Sequence, residues 1–187
     1  FYERIAPTAE AFGDLAPKID YREVDAVADG LDWTGFHRIE KDLWVPAQDA
    51  LNADGETPAW QDWAPSTPEE RAAFGDQLVS DIAELDAYVH SEDLQAALDS
   101  QGVPGLSNGA IALLDEVATG KITGEEDWWS GTDLWDFAAN VEGSKMAFSL
   151  VQDFAAAQGD DGKALVSEIE AGYAALEESL AAHGSLA

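Results

Sequence analysis

Residues 66–90 read STPEERAAFGDQLVSDIAELDAYVH, and this stretch decides the fold class. Phe74, Leu78, Ile82 and Leu85 recur at the spacing of a 3.6-residue repeat, which puts them on one face of an α-helix. Thr67 stands just ahead of Pro68, with Glu69 and Glu70 next. That order supplies an N-cap side chain, a proline where no backbone donor is needed, and acids at the positive end of the helix dipole. The spacing therefore predicts a helix over Pro68–His90. Outward from it the same periodicity returns. Trp33–Trp44 carries Phe36, Ile39 and Leu43, with Pro46 just past its end. Ser91–Ser100 restarts a helix with Ser91 as its cap, Gly102–Gly105 is a break, and Ser107–Thr119 ends at Gly120. Thr132–Ala157 and Lys163–His183 are long helices either side of a turn at Gly159–Gly162. Upstream, Tyr2–Phe12 reads as a short amphipathic helix with Pro7 at an end or kink. Gly13–Lys18 reads as a turn, and Ile19–Asp29 as a short helix before Gly30. Strand alternation is nearly absent, so the expected fold is all-α, an antiparallel helical bundle forming a single domain over residues 1–187.

Composition narrows the function classes. Hydrophobic residues make up 46% of the chain, with 7 Trp and 7 Phe, too many for a disordered acidic segment. Nine Lys and Arg face 38 Asp and Glu, for a formal net charge of −29. Nucleic acid and anionic membrane surfaces are thereby disfavoured, since both call for a basic footprint. Acidity of this degree suits cation capture and equally suits a solvated surface. The absence of cysteine removes disulfides, thiolate metal sites and a cysteine nucleophile. No apolar run approaches the roughly 18 residues of a membrane span. Val45–Pro68, rich in Pro, Asn, Asp and Gly, reads as a long connection. Within it, Asn52–Glu56 only faintly echoes a calcium loop, and its spacing fails the EF-hand pattern.

The chemistry concentrates in Trp33-Thr34-Gly35-Phe36-His37-Arg38-Ile39-Glu40-Lys41. Residues three apart on a helix lie close enough to share one ligand, so His37 and Glu40 can hold one metal ion together. The bland account is a partly buried His bonded to its neighbouring Glu, and spacing alone leaves both open. Helical zinc-peptidase motifs need a second imidazole beside the first pair. Here Lys41 follows Glu40, and the remaining histidines are His90 and His183. Other carboxylates interrupt apolar stripes: Asp81 between Leu78 and Leu85, Glu142 among Trp135, Ala138, Ala139 and Met146, and Glu3 in the first turn. An inward charge is costly unless paired or metal-bound, and Arg4, Arg38 and Arg71 offer the pairing alternative. One imidazole with several carboxylates is a hard donor set suited to iron or manganese, and less selectively to zinc. Gly124-Glu125-Glu126-Asp127 reads as a solvated charge run that can serve as an auxiliary cation site. Thr132 or Ser130 is expected to cap the helix that follows.

Four blocks carry a resemblance to a known family. They are Tyr2–Ile5 with Phe12–Leu15, Thr34–Lys41, Glu116–Asp127, and Thr132–Phe137 leading to Asn140–Gly143. On these the chain resembles the imelysin-like domain of EfeO-type and EfeM-type iron-uptake proteins. The resemblance implies a helical bundle and a metal site built on a Gly-x-His-x-x-Glu motif, here Gly35, His37 and Glu40. Glu3, Asp81 and Glu142 follow as co-ligands or cleft acids. It implies iron, Fe2+ or Fe3+, as the ion bound, with zinc or another divalent cation as the less selective alternative. The implied partners are a ferrous permease and a haem-peroxidase-like protein. The implied place is the periplasm or the cell exterior, in some members as a lipoprotein.

The chain also departs from the family. An acid is usual where Ala6 stands, and a His is frequent at Gly131. The expectation is of a chain that begins inside the family's fold without its first helix, and without the cupredoxin domain of EfeO proper. A binding protein is expected rather than an enzyme. The rivals are a metallohydrolase with Glu40 as base and a metal-free acidic interaction module.

Overall fold

The computed structural model describes residues 2–5, 15–44, 66–124 and 126–183. Among them the chain forms seven α-helices and no strand: α1 Ala16–Ile19, α2 Glu23–Asp29, α3 Phe36–Leu43, α4 Pro68–Val89, α5 Glu92–Thr119, α6 Asp133–Ala156 and α7 Asp160–Ala182. Short 3-10 turns cover Tyr2–Arg4 and Lys121–Thr123. The all-α expectation holds.

The punctuation follows side-chain chemistry. Thr67 and Glu70 close a reciprocal capping box at the start of α4, with Glu70 N–H on Thr67 Oγ1 at 3.2 Å and Thr67 N–H on Glu70 Oε2 at 2.7 Å. Ser91 Oγ takes the Leu94 N–H at 3.2 Å and opens α5. Inside α5, Gly102 adopts φ 60° and ψ −158°, so the expected break falls there as a kink followed by Pro104. Gly30 ends α2 in the left-handed conformation, φ 69°.

Three local expectations change. The turn read at Gly13–Lys18 is in part α1, because Pro17 sits in the first turn of a helix, where its missing N–H costs nothing. The single helix read over Ile19–Asp29 is two, interrupted at Asp20–Arg22. The turn at Gly159–Gly162 shrinks to its first residues, since α7 starts at Asp160. Most of the Tyr2–Phe12 helix, Ala6, and Asn52–Glu56 lie outside the described residues.

The chain gathers into two compact units. One holds Phe1–Thr8, Gln95–Gly120 and Leu134–Ala187; the other holds Ala9–Leu94 and Lys121–Asp133. In the first, α6 and α7 pack antiparallel, with Gly162 against Ala155 and Ser144 Oγ 2.8 Å from Tyr173 Oη. Val141, Phe148, Val151 and Tyr173 form the buried centre, with Leu106 and Leu114 of α5 against it. Tyr2–Arg4 lies on α6: Asn140 Nδ2 donates to the Glu3 carbonyl and to Glu3 Oε2, both at 2.8 Å. This approach needs a glycine at 143, where a Cβ would stand 2.3 Å from the Arg4 carbonyl oxygen.

In the second unit α3 crosses α4 antiparallel. Arg38 stacks 4.2 Å over Phe74 and 5.4 Å over Trp33, while Asp42 at the far end of α3 accepts the Ser66 N–H at 2.8 Å. These contacts put the carboxylate and guanidinium of α3 against the start of α4 and leave the His37 and Glu40 face of α3 turned elsewhere.

Two glycines test this packing. Gly143→Ala is expected to cost about 1–3 kcal/mol, because backbone must shift to admit one methyl. Gly75→Ala, in α4 with open space around it, is expected to stabilise by about 0.5–1 kcal/mol through backbone entropy. Urea unfolding of both variants is the check.

Candidate metal centre

The centre begins with a close backbone approach. Trp33 Nε1 donates to the Tyr21 carbonyl at 2.8 Å, and Thr34 Oγ1 to the Lys18 carbonyl at 2.8 Å. Between them Gly35 presses on Ile19, where a Cβ would meet the carbonyl oxygen at 2.2 Å. Gly35 also takes φ 88° and ψ −162°, a region closed to residues with a side chain. The stitch lays the end of α1 beside the start of α3. Asp20, one residue past Ile19, thereby comes against His37.

The second approach is made by the loop ahead of α6. Glu40 Oε1 accepts the backbone N–H groups of Trp129 at 3.1 Å and Ser130 at 2.6 Å. Trp129 is buried and meets Trp128 edge to face, ring centres 4.6 Å apart. Thr132 Oγ1 donates to Asp127 Oδ2 at 2.5 Å, and Asp133 Oδ1 accepts the Asp127 N–H at 3.3 Å. Thr132 therefore spends its hydroxyl proton on the loop as α6 begins. Gly131, where the resembled family often has a His, takes φ 67°.

The outcome is one buried imidazole among four carboxylates. His37 is 6% exposed. Its Nδ1 lies 3.0 Å from Glu40 Oε2 and 3.7 Å from Asp127 Oδ1. Its Nε2 lies 3.7 Å from Asp20 Oδ1 and 3.8 Å from Glu126 Oε1, and has no hydrogen-bond partner. Asp20, His37 and Glu126 offer ligand atoms within one ion's reach of each other, and so do His37, Glu40 and Asp127. Lys121 Nζ stands 3.1 Å from Glu126 Oε1, with the lysine 3% exposed. Burial opposes charge on His37, but Glu126 and Glu40, then Asp20, outweigh it and hold the imidazole pKa well above its ordinary value. Burial likewise opposes charge on Glu126, yet His37 and Lys121 bring its pKa down to about 2.

Of the residues singled out in the sequence, His37 and Glu40 meet. Asp81 is 3% exposed and accepts Gln77 Nε2 on both oxygens, at 2.8 and 3.0 Å; neither ligand group contains it. Glu3 is buried on Asn140 in the other unit. Glu142, in that unit too, is an exposed partner of Arg4, Nε to Oε2 2.6 Å. Its stripe was read as inward, but Trp135 and Met146 are themselves about half and two-thirds exposed, at 49% and 67%. The Glu126-Asp127 run, read as solvated, is largely buried, with side chains 11% and 13% exposed. Asp20 carried no local signal.

Comparison with known proteins gives a consistent family. The imelysin (peptidase M75) family model matches residues 1–186. An Efem/EfeO family lipoprotein of Staphylococcus haemolyticus is 43% identical over 152 residues, covering 80% of this chain and 44% of that protein. The iron uptake system component EfeM of Bacillus subtilis is 40% identical over 152 residues, covering 81% of this chain and 32% of its own length. An Efem/EfeO family lipoprotein of Staphylococcus aureus is 39% identical over 154 residues, covering 80% and 45%. The aligned stretch thus spans less than half of each of these relatives.

Two variants probe how the centre is held. Gly35→Ala is expected to cost about 2–4 kcal/mol, combining a forbidden backbone conformation with a clash on Ile19. Glu40→Ala strands the Trp129 and Ser130 N–H groups, at about 1–3 kcal/mol each, and is expected to red-shift tryptophan emission as the loop loosens. Glu40→Gln keeps an acceptor oxygen and should stay within about 1 kcal/mol of wild type. Thermal unfolding with fluorescence detection separates the three.

Proposed function

The chain belongs to the imelysin family, and from that membership and the chemistry around His37 we propose that it binds iron as a component of an Efe-type uptake system. The observation that carries the proposal is His37 Nε2: buried, without a hydrogen-bond partner, and facing Asp20 and Glu126. A buried ring nitrogen left unsatisfied is expensive. A cation between it and two carboxylates removes that cost.

The other edge of the ring supports the same assignment. Glu40 already accepts two backbone N–H groups through Oε1 and faces Nδ1 through Oε2. A carboxylate on Nδ1 keeps a proton on that nitrogen and orients the ring, so that a metal displacing the Nε2 proton meets the Nε2 lone pair. In this reading Asp20, His37 and Glu126 are ligands, Glu40 orients the imidazole, and Asp127 is the nearest reserve oxygen. The motif pair expected to share the ion is thereby divided into one ligand and one positioning residue. Asp81, Glu3 and Glu142 act as cleft or structural acids. One imidazole with carboxylate oxygens suits Fe(II) and Fe(III), with Mn(II) and Zn(II) as weaker competitors. Three protein ligands leave positions to water, which keeps a cargo ion exchangeable.

Function as a binding protein is supported by the name of the Bacillus subtilis relative as an iron uptake component. Placement outside the cytoplasmic membrane is supported by the lipoprotein names of the staphylococcal relatives. No helix among the described residues is long and apolar enough to cross a membrane. Delivery in this reading takes place beside a ferrous permease and a haem-peroxidase-like protein, the partners that the family resemblance implies.

Titration of metal-free protein with Fe(II) under anaerobic conditions, and with Fe(III) as citrate, tests the reading. One ion per chain is expected, lost in His37→Ala/Glu40→Ala with helical circular dichroism retained. Asp20→Asn/Glu126→Gln should weaken binding at least tenfold more than Asp127→Asn does. Unaltered iron uptake in the His37/Glu40 double variant removes the proposal; a larger effect from Asp127→Asn moves the ion to the Nδ1 edge.

A further inference from the structure

The iron reading gives no role to the buried ammonium of Lys121. Lys121 is 3% exposed, and its ammonium lies 3.1 Å from Glu126 Oε1. That same oxygen is the Glu126 atom 3.8 Å from His37 Nε2. Oε1 therefore lies between an ammonium and the imidazole edge that lacks a hydrogen-bond partner.

We propose that Lys121 is the centre's own counter-cation: its ammonium holds Glu126 Oε1 in the metal-free protein, and an arriving ion takes over that oxygen against the ammonium's charge. This rests on the iron site described above. The physical need is plain. Four carboxylates around one ring repel one another, and a buried acid without a partner is strongly destabilising. A tethered ammonium relieves Glu126 when no ion is present, so the loop carrying it stays folded and the donors stay in place. The same fixed charge, within a few ångströms of the ion, opposes binding, and at short range in a partly dry site that opposition is large. Lys121 thus trades affinity for a preformed site and a faster release. Its 3-10 turn, Lys121–Thr123, lies directly ahead of Glu126 and Asp127, which fixes the ammonium to the segment that supplies the acids.

The opposition has a signature that packing cannot imitate. A fixed positive charge repels an ion in proportion to the ion's charge, so its removal favours a trivalent ion more than a divalent one. Metal-free wild type, Lys121→Met, Lys121→Gln and Lys121→Arg are titrated with Mn(II) and with Ga(III) supplied as citrate. The Met and Gln variants are expected to bind Mn(II) on the order of tenfold tighter, and Ga(III) to gain by a larger factor. Lys121→Arg should stay near wild type. Unchanged affinity, or equal gains for the two ions, overturns the proposal. If the neutral variants lose helical circular dichroism without metal, Mn(II) should restore it, since the ion replaces the lost ammonium; failure to restore it also overturns the proposal. A wild type that takes up neither ion removes the iron reading and this inference together, whereas wild-type binding with no change in the Met variant removes the inference alone.

Discussion

Everything distinctive in the second unit follows from the electrostatic strain of placing four carboxylates around a single buried imidazole. Like charges at such separations in a poorly hydrated site raise each other's cost, and a chain does not accept that cost by accident of packing. Each acid is held by a separate device. Asp20 is brought in by the glycine approach at Gly35 on Ile19. Glu40 rides on α3 and is saturated by the Trp129 and Ser130 amides. Asp127 is tied through Thr132, and Glu126 through Lys121. The restraint comes from backbone and hydroxyl donors as much as from cations.

How much of this was legible in the sequence depends on the range of the contact. Helix positions came from the 3.6-residue repeat and from caps, and α4 with its Thr67–Glu70 box is the clearest case. His37 and Glu40 were legible because a helix itself puts i and i+3 together. Asp20 was not, because what brings it to His37 is a backbone contact between Gly35 and Ile19. No periodicity encodes that contact, although a glycine just ahead of a His-bearing helix was its one visible trace. Glu126 and Asp127 were visible only as an acidic run. Their burial depends on Glu40 capturing amides some 90 positions further on. Glu142 fails for a different reason. Apolar periodicity marks the inner face of a helix only when the opposite face is polar, and α6 exposes Met146, Leu150 and Phe154 as well as burying Phe137, Phe148 and Val151. On such a helix a stripe through Trp135 and Met146 does not identify the inside.

The two edges of the imidazole are chemically unequal, and the proposed binding role rests on that inequality. On the Nδ1 edge the distances are those of a made hydrogen bond: Glu40 at 3.0 Å, with its second oxygen already satisfied twice. On the Nε2 edge the carboxylates stop at 3.7 and 3.8 Å, too far for a hydrogen bond and close enough to converge on an atom placed between. A polar network that served folding alone would gain by closing that gap, because the unsatisfied nitrogen costs free energy each time the protein folds. The gap is kept open by the same restraints that deliver the acids: Asp20 is fixed to the α1 end by the Gly35 stitch, and Glu126 is drawn toward Lys121. An ion of ordinary metal–oxygen reach would satisfy three groups that the protein holds just short of satisfying one another. Under the proposed reading, the folding cost left on that edge is recovered when the ion binds.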